Sequence, residues 1–203
     1  MKIDLKRELP SYRATRGSFD LITLPPLRYL MIDGQGDPNT SDTYADALAS
    51  LYPVAYALKF LSKNDLGRDY TVMPLEGLWW ADDPTVFTTR RDKSQWMWTL
   101  LTLIPDWLGD DHVDAARARA EAKAGPGAGR VRSEVLDEGL SMQTLHIGSY
   151  DDETAVLQRL HDEEIPARGL VMTGTHHEIY LSDARRTAPE KLRTILRQPV
   201  RPA

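Results

Sequence analysis

The stretch Thr175-His176-His177-Glu178-Ile179-Tyr180-Leu181-Ser182-Asp183 reads as a short strand running into a turn. Strand side chains alternate, so His176, Glu178 and Tyr180 point one way while Ile179 and Leu181 point the other. A carboxylate and a phenol together on one strand face line a cleft more readily than they fill a core. Each also has a plain reading: Glu178 turned to bulk water, Tyr180 packed with its hydroxyl at solvent. In a cleft, Glu178 is a counter-charge for a cationic ligand or a general base for water. Tyr180 then donates a hydrogen bond to a ligand carbonyl as negative charge develops on it.

Working outward, Leu170-Val171-Met172 is a companion strand. Before it, a helix starts at Tyr150-Asp151-Asp152-Glu153, buries Val156, Leu157, Leu160 and Ile165, and closes at Ile165-Pro166 and Gly169. Ser141 to Gly148 is a strand ending in glycine. The same order occurs earlier. Arg28 to Gly34 is a strand, and the caps in Asp37 to Asp42 start a helix with Tyr44, Leu48, Leu51, Ala55 and Leu58 at helical spacing. Pro53 should kink or divide that helix. Tyr70 to Trp80 is a strand whose Pro74 suggests an edge or a bulge. Lys93 to Ile104, rich in aromatic and β-branched residues, is another strand.

Between the halves, residues 105–124 have helical composition and end at Gly125-Pro126-Gly127-Ala128-Gly129. That glycine loop is a mobile linker and not a phosphate loop, since it follows a helix and no Gly-Lys-Ser/Thr comes after it. Thr187-Ala188-Pro189-Glu190 has the capping-box pattern, predicting a last helix through Ile195 or Leu196 that stops before Pro199. Arg185, Arg186, Lys191, Arg193, Arg197 and Arg201 would be its solvated face. The expected fold is therefore α+β: one domain over residues 1–203, with two strand–helix–strand–strand repeats related by a pseudo-twofold. The first repeat covers about 27–104, the linking helix and loop about 105–130, the second repeat about 131–200, with a central ligand cleft where they meet.

Composition narrows the function. The net charge of −5 argues against a nucleic-acid partner, which calls for a basic face. The absence of cysteine removes thiolate nucleophiles, disulfides and Cys-ligated zinc. No apolar run approaches the roughly 18 residues of a membrane helix, and the N-terminus lacks an apolar signal core, so no membrane partner and a cytoplasmic location are expected. His176 and His177 point to opposite faces, and His112, His146 and His161 are scattered, so no metal or other cofactor is expected. Without a Gly-x-Ser-x-Gly elbow, an enzyme here would use water activated by a carboxylate.

Aromatic residues supply further candidates for ligand contact. Glu76 with Trp79-Trp80 mirrors the Glu178 strand, and alternation puts Glu76, Leu78 and Trp80 on one face, Gly77 and Trp79 on the other. Glu76 tilts the choice of cleft tryptophan towards Trp80. Trp96 and Trp98 share a strand side and could form an aromatic wall or pack a core. Trp107 opens the linking helix, a possible lid, and Tyr150 is a helix staple or a ligand contact.

Three stretches carry a family resemblance: Met73-Pro74-Leu75-Glu76-Gly77-Leu78-Trp79-Trp80, Gln143 through Glu153, and His176 through Arg186 continuing to Lys191-Leu192. Together they resemble the stand-alone GyrI-like small-molecule-binding domains, relatives of AraC-type effector-binding domains, from about Leu27 to Val200. Ser149, where the family often has proline, and Pro53 depart from the pattern. The resemblance implies a cleft in which a glutamate and aromatics hold bulky hydrophobic, planar aromatic or cationic compounds, as in multidrug binding. Some members are similar to hydrolases that open the cyclopropane of cyclopropylpyrroloindole genotoxins, which would make Glu178 or Glu76 the base and Tyr180 its partner. A protein partner such as a topoisomerase follows from the family name alone. With only about twenty irregular residues upstream, a complete transcription factor is not expected.

Overall fold

A computed structural model of the chain describes residues 2–87 and 90–203. In chain order it contains α1 (Leu5–Glu8), β1 (Asp20–Thr23), β2 (Leu27–Gln35), α2 (Asp42–Asp65), β3 (Glu76–Trp80), β4 (Met97–Leu103), α3 (Asp110–Ala124) and β5 (Arg132–Leu136). Then come β6 (Leu140–Ile147), α4 (Thr154–Gln158), α5 (Ile165–Ala167), β7 (Leu170–Met172), β8 (His176–Tyr180) and β9 (Arg193–Pro202). The fold is α+β with antiparallel strand pairing, as expected. The chain gathers into two compact units, one of residues 2–8, 27–73 and 80–136, the other of residues 9–26, 74–79 and 137–203.

In the first unit β2 lies between β4 and β5. The apolar run Trp98–Leu103 of β4 is wholly buried, the pattern of a strand covered on both faces. α2 continues unbroken through Pro53. A proline inside a helix costs about 3 kcal/mol, and the buried stripe of Ala47, Leu51, Val54, Leu58 and Leu61 spans it on both sides. Burying each larger side chain is worth about 1.5–3 kcal/mol, so packing outweighs the lost hydrogen bond. The glycine loop is a 3-10 turn (Pro126–Arg130) inside this unit and not a linker between halves. Gly127 lies so close to Ser50, and Gly129 to Glu121, that a Cβ at either would collide at 2.4 and 2.3 Å.

The second unit holds the strand order β1-β6-β9-β8-β3, with β7 beside the far end of β9. β9 occupies the place where a last helix was expected. Every residue from Thr194 to Val200 is buried, and a strand between β6 and β8 suits this β-branched run better than a half-exposed helix. The capping-box pattern closes only a 3-10 turn, Pro189–Lys191. Pro199 is tolerated because β8 pairs with residues 194–197 and β7 with residues 200–202, leaving the proline nitrogen in the gap. β7 and β8 therefore pair with β9 and not with each other.

One face of this sheet carries the helical segment, where Val156, Leu157, Leu160 and Ile165 pack on Phe19, Met142, Leu196 and Val200. Directly opposed residues share a face. On the helix side the rows across the strands are Thr144–Leu196–Glu178–Gly77 and His146–Thr194–Tyr180. On the other side they are Gln143–Arg197–His177–Leu78 and Leu145–Ile195–Ile179–Glu76.

Candidate functional site

Glu178, Tyr180 and His176 share the helix-side face of β8, where alternation put them. Tyr180 donates to Glu178 Oε2 at 2.7 Å, and Trp79 Nε1 donates to the Tyr180 hydroxyl at 3.0 Å. The phenol's one proton is thus committed to the carboxylate. Tyr150 meets the Tyr180 ring edge-on, centroids 5.5 Å apart. His176 Nε2 stands 3.6 Å from Glu178 Oε1, too long for a hydrogen bond. Both Glu178 and His176 side chains keep 14% of their area exposed, enough for a ligand to reach the carboxylate. Gly77 lies beneath the aromatic pair: a Cβ there would sit 2.7 Å from Trp79 Nε1 and 3.1 Å from the Tyr180 hydroxyl.

The tryptophan of this face is Trp79, not Trp80. Because Gly77 stands across from Glu178, alternation along β3 sends Trp79 to the Glu178 side and Glu76 to the opposite one. Glu76 is accordingly no mirror of Glu178 in the same site. It is 1% exposed, accepts the Tyr12 hydroxyl and sits 3.0 Å from His177 Nε2. His177 Nδ1 reaches Glu138 at 2.9 Å, and Glu138 accepts from Arg197 at 2.8 Å. Arg197 donates further to Gln143 and to the Ser11 carbonyl. Despite its burial, the Glu138 and Glu76 carboxylates hold the His177 imidazolium up to about 9. Burial opposes the ionisation of Glu138, but the His177 and Arg197 charges outweigh it and hold the carboxyl down to about 2.

Trp96, Trp98 and Trp107 are taken up by packing within the first unit. Trp96 stacks on Phe87 and donates to the Val86 carbonyl. Trp98 is fully buried over Gly34, donates to the Gly36 carbonyl and meets Tyr44 edge-on. Trp107 precedes α3, donates to Ser62 and lies under the Arg68 guanidinium, 4.2 Å from its ring centre. Trp80 ends β3 in the first unit.

Two further buried groups, Glu153 and His161, have no site role in the sequence reading. Glu153, at the end of the turn Tyr150–Glu153, is 3% exposed. Burial first, then the Glu178 charge, push its carboxyl far above the usual range, against a smaller opposing pull from Thr194. Burial, with Glu153, Glu178 and Asp183 adding to it, pushes the Tyr150 phenol up to about 12. His161 lies on a π-helical turn (Arg159–Glu164), a distortion frequent at functional sites, and meets His176 edge-on at 5.5 Å. Burial and then His176 push it down to about 4, so it is neutral. Its Nε2 and both His176 nitrogens are buried without a hydrogen bond. Only the acidic turn after Gly148 hinted at Glu153, and that signal reads equally as helix capping.

Among the described residues no group of three or more His, Asp or Glu is arranged to hold a metal ion. None of the described helices is long and apolar enough to cross a membrane. A groove of about 540 Å³ in the same unit is lined by Arg16, Phe19, Thr144, His146, Asp152 and Arg159 among others. With two arginines and without Glu178, it suits a cationic ligand poorly.

The model of the GyrI-like small molecule binding domain matches residues 18–201. A comparison with curated proteins finds no match. Among solved structures, an uncharacterized conserved protein from Listeria innocua is 34% identical with a TM-score of 0.89, covering 98% of this chain and 100% of its own. A hydrolase from Listeria innocua is also 34% identical, with a TM-score of 0.84 and the same coverage. The EcmrR C-terminal domain shares the fold at 11% identity, with a TM-score of 0.58 over 92% of this chain and 98% of that one. Family model and structural likeness agree over almost the whole length, and the chain belongs to the GyrI-like small-molecule-binding family.

Proposed function

We propose that the Glu178 face binds a bulky, hydrophobic, planar aromatic or cationic small molecule. One observation carries this reading: a reachable carboxylate, fixed by Tyr180 and rimmed by Trp79 and Tyr150, that no lysine or arginine neutralises among the described residues. An aromatic cation satisfies both the charge and the rings. The net charge of −5 argues against nucleic acid, and a cytoplasmic location fits the composition.

The second reading, hydrolysis of a strained electrophile, is favoured by the likeness to proteins described as hydrolases at 33–34% identity over nearly the full chain. For a cyclopropylpyrroloindole, Glu178 takes a proton from water as the water oxygen bonds to the cyclopropane methylene. The ring carbon–carbon bond breaks, and its electron pair flows through the dienone to the carbonyl oxygen; the resulting phenolate takes up a proton from solvent, and Glu178 returns its own proton to solvent. Tyr180 orients Glu178, while the Tyr150 hydroxyl, with no hydrogen bond among the described residues, is available to the ligand oxygen. Mass spectrometry of such a compound with the wild type and Glu178→Gln tests both readings. A water adduct made by wild type alone supports hydrolysis. Unchanged compound that still quenches tryptophan fluorescence leaves a binder, and no binding at all removes both.

A further inference from the structure

Strand β6 is longer than the strand that covers its outer edge. β1 pairs with residues 140–143 of β6, whereas β9 pairs with residues 141–147. Successive residues of an antiparallel strand turn their backbone N–H and C=O groups to opposite sides. Leu24 N–H donates to the Gly139 carbonyl in register with the β1 pairing, so Ser141 and Gln143 also face β1. Gly148 N–H donates to the Leu192 carbonyl in register with the β9 pairing, so Thr144 and His146 face β9. Leu145 and Ile147 therefore face outwards, past the end of β1, and their N–H and C=O groups have no hydrogen bond among the described residues. The chain upstream of β1 turns away from them. Ser18 N–H donates to the Thr15 carbonyl, and Gly17 between them takes a φ of 79°, which no strand uses.

This open edge lies in the groove of about 540 Å³. Residues 144–147 of β6 line it together with Arg16, Phe19, Val156 and Arg159. The Thr144 hydroxyl is buried there without a hydrogen bond. Arg16 is exposed and has no ion pair among the described residues. The Arg159 guanidinium, shared with Glu164 at 2.8 Å, stands 4.7 Å from the Phe19 ring centre. Asp152, the one acid of the lining, already accepts the Ser149 hydroxyl. Open backbone donors and acceptors at every second residue match one kind of partner, another strand. We propose that the groove takes an extended acidic peptide of another protein, which adds to β6 by hydrogen bonds to Leu145 and Ile147 and sets its carboxylates against Arg16 and Arg159. Each of the two outward residues gives the peptide one donor and one acceptor. Because strand side chains alternate, apolar residues between the acidic ones meet Phe19 and Val156. The groove shares no lining residue with the Glu178 face, so this site stands apart from the small-molecule reading.

The test is amide NMR of the full nitrogen-15-labelled chain, titrated with an acetylated and amidated peptide of alternating valine and glutamate. In the free protein the Leu145 and Ile147 amides should exchange rapidly with water; slow exchange would mean an edge already paired and would overturn the proposal. With peptide added to about 2 mM, both amides should shift downfield and exchange about tenfold more slowly. Lysine in place of glutamate should weaken binding about tenfold, and Arg16→Ala should weaken the glutamate peptide about threefold. Ile147→Pro removes an outward donor while leaving the ladder to β9 whole, and should cut affinity about tenfold. A peptide methylated at every amide nitrogen gives the same reading without altering the protein, and should not bind. Unchanged Leu145 and Ile147 amides overturn the proposal. So does equal binding of the two peptides, or the same shifts with glutarate alone, which would leave a small-anion site. Shifts that grow with protein concentration before any peptide is added would give the edge to a second copy of the chain, and overturn it too.

Discussion

At the scale of single residues, the site depends on a glycine as much as on its acid. The indole of Trp79 lies over Gly77 with its N–H on Tyr180, and a Cβ at Gly77 would meet that nitrogen at 2.7 Å. An indole ring is too stiff to yield there, so Gly77→Ala should break the Trp79–Tyr180 bond and leave Glu178 less firmly held. An aromatic cation should then bind about five- to tenfold more weakly by fluorescence titration, as the loss of about 1 kcal/mol implies. Trp79→Phe should reproduce that loss, whereas Trp80→Phe should leave affinity unchanged. Alternation within β8 was enough to bring His176, Glu178 and Tyr180 together, because a period of two is a local property. The choice between Trp79 and Trp80 was not local. It depends on Gly77 standing opposite Glu178, a register fixed across 101 positions of chain.

At the scale of elements, β8 separates the proposed ligand face from a structural one. His177, one residue from Glu178, points into the chain of ion pairs through Glu76, Glu138 and Arg197. Its pKa of about 9 lies above the unfolded value of 6.5, so its stabilisation is complete below about pH 6.5 and lost as pH rises through 9. Glu138, at about 2 against 4.5, stabilises fully above pH 4.5 and stops doing so as pH falls towards 2. Urea midpoints should therefore reach a plateau between about pH 4.5 and 6.5 as far as these two groups decide it. His177→Gln should cost about 3–5 kcal/mol at pH 6 by leaving Glu76 without its cation and Glu138 with Arg197 alone, and clearly less at pH 10. Adjacent histidines hinted at opposite faces, but not at a buried charge network, whose partners lie 39 and 101 positions away. β9 teaches the same lesson: a capping pattern predicted a helix, and two neighbouring strands decided otherwise.

At the scale of the whole molecule, the proposed ligand face lies in the second unit, while Trp96, Trp98 and Trp107 pack within the first. Trp98, buried over Gly34 in the first unit, should cost about 3–5 kcal/mol when changed to alanine. Ligand affinity measured well below the unfolding midpoint should not change. In the second unit Glu153 works against stability. Its carboxyl keeps a proton in the fold that the unfolded chain releases above about pH 4.5, so the fold loses stability as pH rises beyond that value. Glu153→Gln should raise the urea midpoint at pH 8 and flatten its decline between pH 5 and 8. The sequence by itself determined the α+β class, the family, most helices and strands, and the Glu178–Tyr180 face, because periodicity, capping residues and short motifs are all written within a few positions of one another. Tertiary structure alone decided that residues 193–202 are a strand, that Trp79 and not Trp80 joins Glu178, and that Glu76 belongs to a buried ion network. It also decided that Glu153 is buried. Each of these depends on strand register or burial, which bring together residues far apart in the chain, and no local pattern encodes that.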